Sequence, residues 1–279
     1  MAWSVAVLVL LSAALHPIWN ALVKDDPWPA GAYFWLMAGY VVLSTLLALT
    51  TGTSLAVPMA AVPLLLGSVA AQVAYGWALV KVLRRGDLSL FYPIARASPV
   101  FNLIIGTLLL GERYSLVAGV GIGVVLAGVV VLHGGLKGGG GHLGSLLIAL
   151  IAMASAGLYA ITDSRLVAQM TPAALMFWGQ LLSLPAFALI AGKTELTLEP
   201  WRKAPWRYPL MALLSYGSYY MILIAYQWGG QPAAVNAVRQ ASIPLSVLIG
   251  TLLLKEGHAG RRLGGALVMV GGILLIILG

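Results

Sequence analysis

Two arginines stand where charge is costly. Arg96 lies eight residues after Leu88 in the apolar stretch 88–110, and Arg239 lies seven residues after Pro232 in the stretch 232–254. An arginine at the centre of a membrane helix costs roughly 2.5–3.5 kcal/mol on insertion scales, so such residues either mark a ligand path or pair with backbone. A guanidinium presents a planar fork of donors that matches a carboxylate with two parallel hydrogen bonds. Tyr92 precedes Arg96 by four residues and shares its helix face, where its phenol would join the grip on an anionic group. Pro93 and Pro99 cannot donate to the carbonyls of Ser89 and Ala95, and each ring crowds the preceding turn, so the helix is expected to kink or unwind around Arg96. Pro244 likewise frees the carbonyl of Gln240. Broken backbone at this depth is tolerated only where protein or a water-filled cavity satisfies it again, so the stretch FYPIARASPVFN at 91–102 reads as a cavity wall. Arg96 is the primary candidate for holding a negative group. For Arg239 a structural role, bonding the carbonyls of a neighbouring helix, is expected more often.

The first apolar stretch carries His16, Pro17, Trp19 and Asn20, and the spacing of four puts His16 and Asn20 on one face. The ordinary pKa of imidazole suits a proton carrier, although a satisfied structural histidine is the commoner case. Trp19 fits a cavity wall. Tyr75, Trp77, Tyr159 and Trp178 are candidates of the same kind, their alternative being packing or an interfacial aromatic belt. Asn102, Gln240, Gln72, Gln180 and Asn236 offer hydrogen bonds to a substrate, with bonding between helices as the commoner role. All eight acidic residues, Asp25, Asp26, Asp87, Glu112, Asp163, Glu195, Glu199 and Glu256, are expected in loops or at the ends of spans. The deep charges are then all positive, which favours substrates bearing a carboxylate or another anionic group. Zwitterions fit as well if aromatic faces receive the ammonium by cation–π attraction.

The elements that must position these residues are membrane helices. The 279 residues are 61% hydrophobic and 9% charged, with mean hydropathy +0.96, whereas a soluble domain carries about a quarter charged residues. Apolar runs of the length that crosses a ~30 Å hydrocarbon core recur from end to end. Ten are expected, at 3–23, 30–51, 60–81, 88–110, 115–133, 143–163, 173–192, 208–228, 232–254 and 260–278. The first opens at Trp3 without a basic segment before it or a small-residue cleavage site after it, and reads as a permanent helix. Cysteine is absent, which excludes disulfides, thiolate metal sites and cysteine nucleophiles. His16, His133, His142 and His258 show no ligand spacing with acids, so no metal, no cofactor and no catalytic residues are expected, and an intramembrane enzyme is disfavoured. The net charge of +8 reads as loop anchors at the bilayer surface, not as a nucleic-acid footprint.

The chain also repeats itself. GTLLLGE at 106–112 and GTLLLKE at 250–256 match at six of seven positions, 144 residues apart. The same offset pairs Arg96 with Gln240, Ser98 with Ser242, Gly121 with Gly265 and Gly128 with Gly272. Spans four and five therefore recur as nine and ten, and the unit is five helices. An odd number of spans per unit makes the second copy start on the opposite side of the membrane. The expected architecture is an all-α integral membrane protein of ten transmembrane helices, built as two inverted five-helix repeats. The first repeat is 1–133, a glycine-rich connection is 134–142, and the second repeat is 143–279. The connection contains KGGGGH at 137–142, whose lysine precedes the glycines and which follows no strand, so it is no phosphate loop. Inverted repeats around a site at the bilayer midplane are a common plan of secondary transporters.

LHPIWNALVK at 15–24, GDLSLFYPIARASPVFNLIIGTLLLGERYS at 86–115 and the second GTLLLKE resemble the EamA family of the drug/metabolite transporter superfamily. The resemblance spans essentially the whole chain, including the five-plus-five layout. It implies a transporter of small metabolites, often an exporter of amino acids or related compounds, with a central cavity between the halves. It implies a multi-pass protein of the plasma membrane, here a bacterial inner membrane, working as a monomer or weak homodimer on a small-molecule substrate. A metabolite importer and a lipid-carrier flippase are the alternatives. The second copy departs from the first: MASAGLYAITD at 153–163 sets Tyr159 opposite Trp19 but lacks the His-Pro and Trp-Asn pairs, so an asymmetric site is expected. Ten spans put Arg113 and Arg165 on the side of the termini and every other basic residue except the two deep arginines on the other. The positive-inside rule then sets both termini outside, whereas the resemblance implies both inside; the family expectation is preferred.

Overall fold

The computed structural model describes residues 3–83, 94–95, 97–109, 115–132, 142–230, 232–242 and 259–278. The described residues are helical with short connections. The first half supplies α1 (Trp3–Lys24), α2 (Pro29–Thr51), α3 (Val62–Leu83), α4 (Ser98–Leu109) and α5 (Leu116–Leu132). The second half supplies α6 (His142–Leu166), α7 (Pro172–Glu195), the short α8 (Glu199–Lys203), α9 (Arg207–Gln227), α10 (Pro232–Arg239) and α11 (Ala259–Leu278). Among the described residues, α1, α2, α3 with its preceding 3-10 turn, α6, α7 and α9 are each long and apolar enough to cross a bilayer.

Local chemistry sets the ends. Pro29 and Pro172 sit in the first turns of α2 and α7, where a missing N–H costs nothing. Thr171 caps α7 by accepting from the Ala174 N–H at 3.1 Å. Gly52, at φ 71°, closes α2 in the left-handed conformation that glycine adopts without strain and returns its N–H to the Ala48 carbonyl. Side chains turned away from the core, such as Leu49, Leu108, Leu116 and Leu189, are large and apolar, as a lipid-facing surface requires.

The halves interlock in pairs. α1 packs on α9, α3 on α6, α2 on α7, α4 on α10 and α5 on α11. Exchanging the two halves maps the α1–α9 pairing onto α6–α3 and each of the other three onto itself. The most extensive case is α5 with α11. A Cβ on Gly272 would lie 2.7 Å from the Gly121 carbonyl oxygen and from the Val125 nitrogen, and one on Gly128 would lie 2.9 Å from the Gly265 carbonyl oxygen and the Met269 nitrogen. These partners correspond at the offset of 144, and the two helices run antiparallel. α2 and α7 are antiparallel too, since Glu195 at the end of α7 accepts from the N–H groups of Ala30 and Gly31, at 2.8 and 3.3 Å, at the start of α2.

The breaks repeat as well. Ala97 lies outside helical geometry just before α4, and its N–H reaches the Ile94 carbonyl at 2.9 Å. At the same offset α10 stops at Arg239, and the Ala241 N–H reaches the Val238 carbonyl at 3.0 Å. Helical structure is thus interrupted beside Arg96 as its flanking prolines predict. Arg96 itself lies outside the described residues, as do Tyr92, Pro93, Pro244, the second GTLLLKE and most of the glycine-rich connection.

Outside the spans, α1 and α9 are tied at one end by Arg207. Its Nη2 donates to the Leu22 carbonyl at 2.7 Å and lies 3.2 Å from Asp25, while its Nε lies 3.5 Å from the buried Asp26 carboxylate. Burial pushes the Asp26 carboxyl above its usual range, against the opposing pull of the Trp28 N–H and of Arg207. A carboxyl raised on folding stabilises the fold while protonated. That contribution is complete below the ordinary carboxylate pKa and is lost as the pH rises through the raised value. Melting temperature in detergent should therefore fall across that rise, and Asp26→Asn should flatten this part of the profile; an unchanged profile would contradict the burial effect.

Candidate functional site

The spans enclose a cavity lined by residues of seven helices. α1 supplies His16 and Trp19, and α2 supplies Tyr33, Met37 and Tyr40, whose spacing of four and three is one helix face. Gln72 and Tyr75 enter from α3, Tyr159 from α6, Gln180 and Phe187 from α7, Ser215 and Tyr219 from α9, and Arg239 from the end of α10. The unfilled space is about 550 Å³, counting the part open to solvent. A smaller cavity adjoins it, sharing Tyr75, Tyr159 and Arg239 and adding Ala95, Ser98, Ala156, Asn236 and Gln240. Ala95 on its wall is the chain neighbour of Arg96.

Three tyrosines form an edge-to-face ladder. Tyr75 meets Tyr159 at 5.8 Å between ring centroids, and Tyr159 meets Tyr219 at 6.0 Å. The Arg239 guanidinium carbon lies 5.9 Å over the Tyr219 ring, within the range of cation–π attraction. Its Nη2 lies 3.4 Å from His16 Nδ1, and His16 packs edge-on against Trp19 at 4.9 Å. Arg239 is buried, and among the described residues its Nε has no hydrogen-bond partner and no carboxylate pairs with it. Trp19 Nε1 and Gln180 Oε1 are also buried, with no hydrogen-bond partner among the described residues. The cavity thus offers two unused kinds of donor, one cationic, and one unused acceptor, framed by aromatic faces.

Of the residues expected from sequence, His16, Trp19, Tyr75, Tyr159 and Arg239 come together in the larger cavity, and Gln240 lines the smaller one. Asn20 turns to its own helix, donating to the His16 carbonyl at 2.7 Å. Asn102 is buried where α4 crosses α6 at Gly157. Trp77 stands outside the cavity wall with the Lys81 ammonium 4.7 Å over its ring, and Trp178 donates to the Leu55 carbonyl at 2.8 Å in the connection after α2. Tyr33, Met37, Tyr40, Phe187, Ser215 and Tyr219 went unnoticed in the sequence. The 33/37/40 and 215/219 spacings were a usable signal, but apolar and small polar residues recur at such spacings throughout a membrane chain.

The placement of the acids needs a correction. Asp163 was expected at a span end, clear of the interior, yet it is fully buried. Ser68 Oγ and the Tyr219 hydroxyl both donate to it, and Gln72 Nε2 lies 3.5 Å from it. The physical reason is helix length. α6 continues to Leu166, beyond the point where hydropathy ends the span, and neighbouring α3 and α9 bring neutral hydrogen-bonding groups to the carboxyl. Gln72 connects it to the cavity, donating to Ser68 at 3.0 Å and accepting from Gln180 at 2.7 Å.

A multi-pass helical membrane protein with a polar, aromatic-lined cavity between two interlocked halves has the form of a membrane transporter, not of an enzyme. The EamA-like transporter family model matches residues 2–133 and again 143–278, and the chain belongs to that family. It is similar to an uncharacterized transporter of Archaeoglobus fulgidus, 26% identical over 200 residues that cover 70% of this chain and 68% of the relative. A protein of known crystal structure shares the fold with a TM-score of 0.75 and 17% identity, over 100% of this chain and 98% of the other.

Proposed function

We propose that this protein is a secondary transporter that exports small zwitterionic or anionic metabolites, amino acids or related compounds, across the bacterial plasma membrane by alternating access. Its ten spans form two inverted five-helix repeats, residues 1–133 and 143–279 joined by 134–142, that rock against each other around the cavity. The antiparallel pairing of counterpart helices α5 and α11 supports the inversion, because a two-fold axis that reverses helix direction must lie across the helices.

The observation that carries the substrate class is Arg239. A buried guanidinium with an unused Nε and no carboxylate partner among the described residues is a costly feature, and a substrate carboxylate would offset that cost. The Trp19 N–H adds a second donor. Gln180 Oε1 and the faces of Tyr75, Tyr159 and Tyr219 suit an ammonium at the other end of a small zwitterion. Gln240 lines the adjoining smaller cavity, and Arg96 and Tyr92, outside the described residues, are expected from the sequence as further groups for the same anion. A thermal-shift screen of the purified protein against amino acids, organic acids and simple amines tests this reading. Amino acids or organic acids should raise the melting temperature and amines should not; stabilisation by amines alone would refute the anionic requirement.

A further inference from the structure

We infer that Asp163 is a proton-binding site, holding a proton in this conformation and releasing it to water when the junction of α3, α6 and α9 opens; coupling that release to substrate movement rests on the transporter reading above. Asp163 is fully buried among spans, and no cationic group among the described residues pairs with it. Its neighbours are Ser68, Gln72 and Tyr219, all neutral. A carboxylate taken out of water without a counter-charge is among the costliest groups a protein can hold, and the usual escape is to bind a proton. The charged and titratable groups that face it are few. Among the described residues, Tyr219 and Tyr226 of α9 interact with it; Tyr75 of α3, Tyr159 of its own helix and Arg239 of α10 line the cavity that Gln72 shares, while the described part of α4 brings no titratable group. Arg239 is held off by the Tyr219 ring, which receives the guanidinium on its face while its hydroxyl bonds Asp163.

The location fits the role. Ser68 is on α3, Tyr219 on α9 and Asp163 on α6, so three helices drawn from both halves must stay together for the carboxyl to remain dry. Any rocking of one half against the other parts them and admits water from the cavity past Gln72. Deprotonation breaks the Oδ–H bond, water takes the proton, and the carboxylate left behind is stabilised by hydration and by the hydroxyl of Tyr219, which belongs to the same half. Reclosure requires a proton to return. A carboxyl that can be dry only when protonated thereby ties the conformational cycle to proton movement, and the cavity substrate shares Tyr219 and Gln72 with it.

Infrared pH titration of the full-length protein in lipid nanodiscs, with no substrate added, reads the site directly. The wild type should show a protonated-carboxyl stretch that disappears as pH rises and that Asp163→Asn lacks. Tyr219→Phe removes a donor to the charged form, so the band should persist to higher pH; because it keeps the carboxyl, it preserves the test if Asp163→Asn fails to fold. Absence of any band that depends on Asp163 would overturn the proposal. A second arm measures a labelled mixture of the standard amino acids in proteoliposomes. Asp163→Asn should retain exchange at equal pH on both sides and lose accumulation driven by a pH gradient, and retained gradient-driven accumulation would overturn the coupling. If the wild type titrates but exchanges no amino acid, the substrate reading fails while the proton site stands.

Discussion

Membranes carrying Arg239→Ala should contain folded protein at close to the wild-type amount and yet show a large loss of transport. The folded state loses a buried charge that is costly to insert, so stability is not expected to collapse. Binding loses a charge-assisted hydrogen bond, worth about 1.5–3 kcal/mol, which corresponds to an affinity about tenfold to a hundredfold weaker. Arg239→Lys should recover part of the activity, because lysine keeps the charge and loses the fork. The check is uptake or exchange per unit of folded protein, using a compound that stabilises the wild type in the thermal-shift screen. Normal affinity and rate in the alanine variant would remove Arg239 from the binding site. Arg96→Ala should abolish transport by the same logic, with Arg96→Lys again a partial rescue. A loss of folded protein instead of function would assign either arginine to structure.

The second large effect concerns the α5–α11 contact. Gly272→Val should sharply reduce folded protein, and Gly128→Val should do the same. Each side chain would be driven into backbone atoms of the opposite helix, the Gly121 carbonyl and Val125 nitrogen in one case and the Gly265 carbonyl and Met269 nitrogen in the other. Backbone cannot step aside as a flexible side chain can, and overpacking costs about 1–3 kcal/mol even where some relaxation is possible. Gly119→Val is the matched control on α5, since nothing lies within 4 Å of a Cβ there; it should be nearly neutral. Size-exclusion profiles and melting temperatures in detergent distinguish the three. Equal behaviour of Gly272→Val and Gly119→Val would show that α5 and α11 do not depend on this close approach.

The contrast between Gly272 and Gly119 also shows where sequence reading stops. Both are glycines in apolar helices, and the hydropathy pattern treats them alike. The repeat at 144 marks Gly272 and Gly128 as counterparts, but only the packing tells that they face each other's helix and that Gly119 faces outward.

What the sequence by itself determined is the solvent, the secondary structure and the doubling. Apolar runs without charge must be helices in lipid, because every backbone N–H and C=O needs an internal partner there. The prolines around Arg96 foretold the break beside it, since a missing donor acts locally. The matching GTLLLGE and GTLLLKE motifs, with the pairs at the same offset, revealed that one half copies the other. Which side chains meet was decided by tertiary structure alone. Tyr159 of α6, Tyr219 of α9 and Arg239 of α10 converge through the crossing of helices far apart in sequence, and no spacing along the chain encodes that crossing. Asp163 shows the same limit most clearly. Hydropathy assigns an acidic residue to the nearest water, but a hydroxyl from α3 and another from α9 meet this carboxyl in the interior, and their arrival depends on how the two halves interlock.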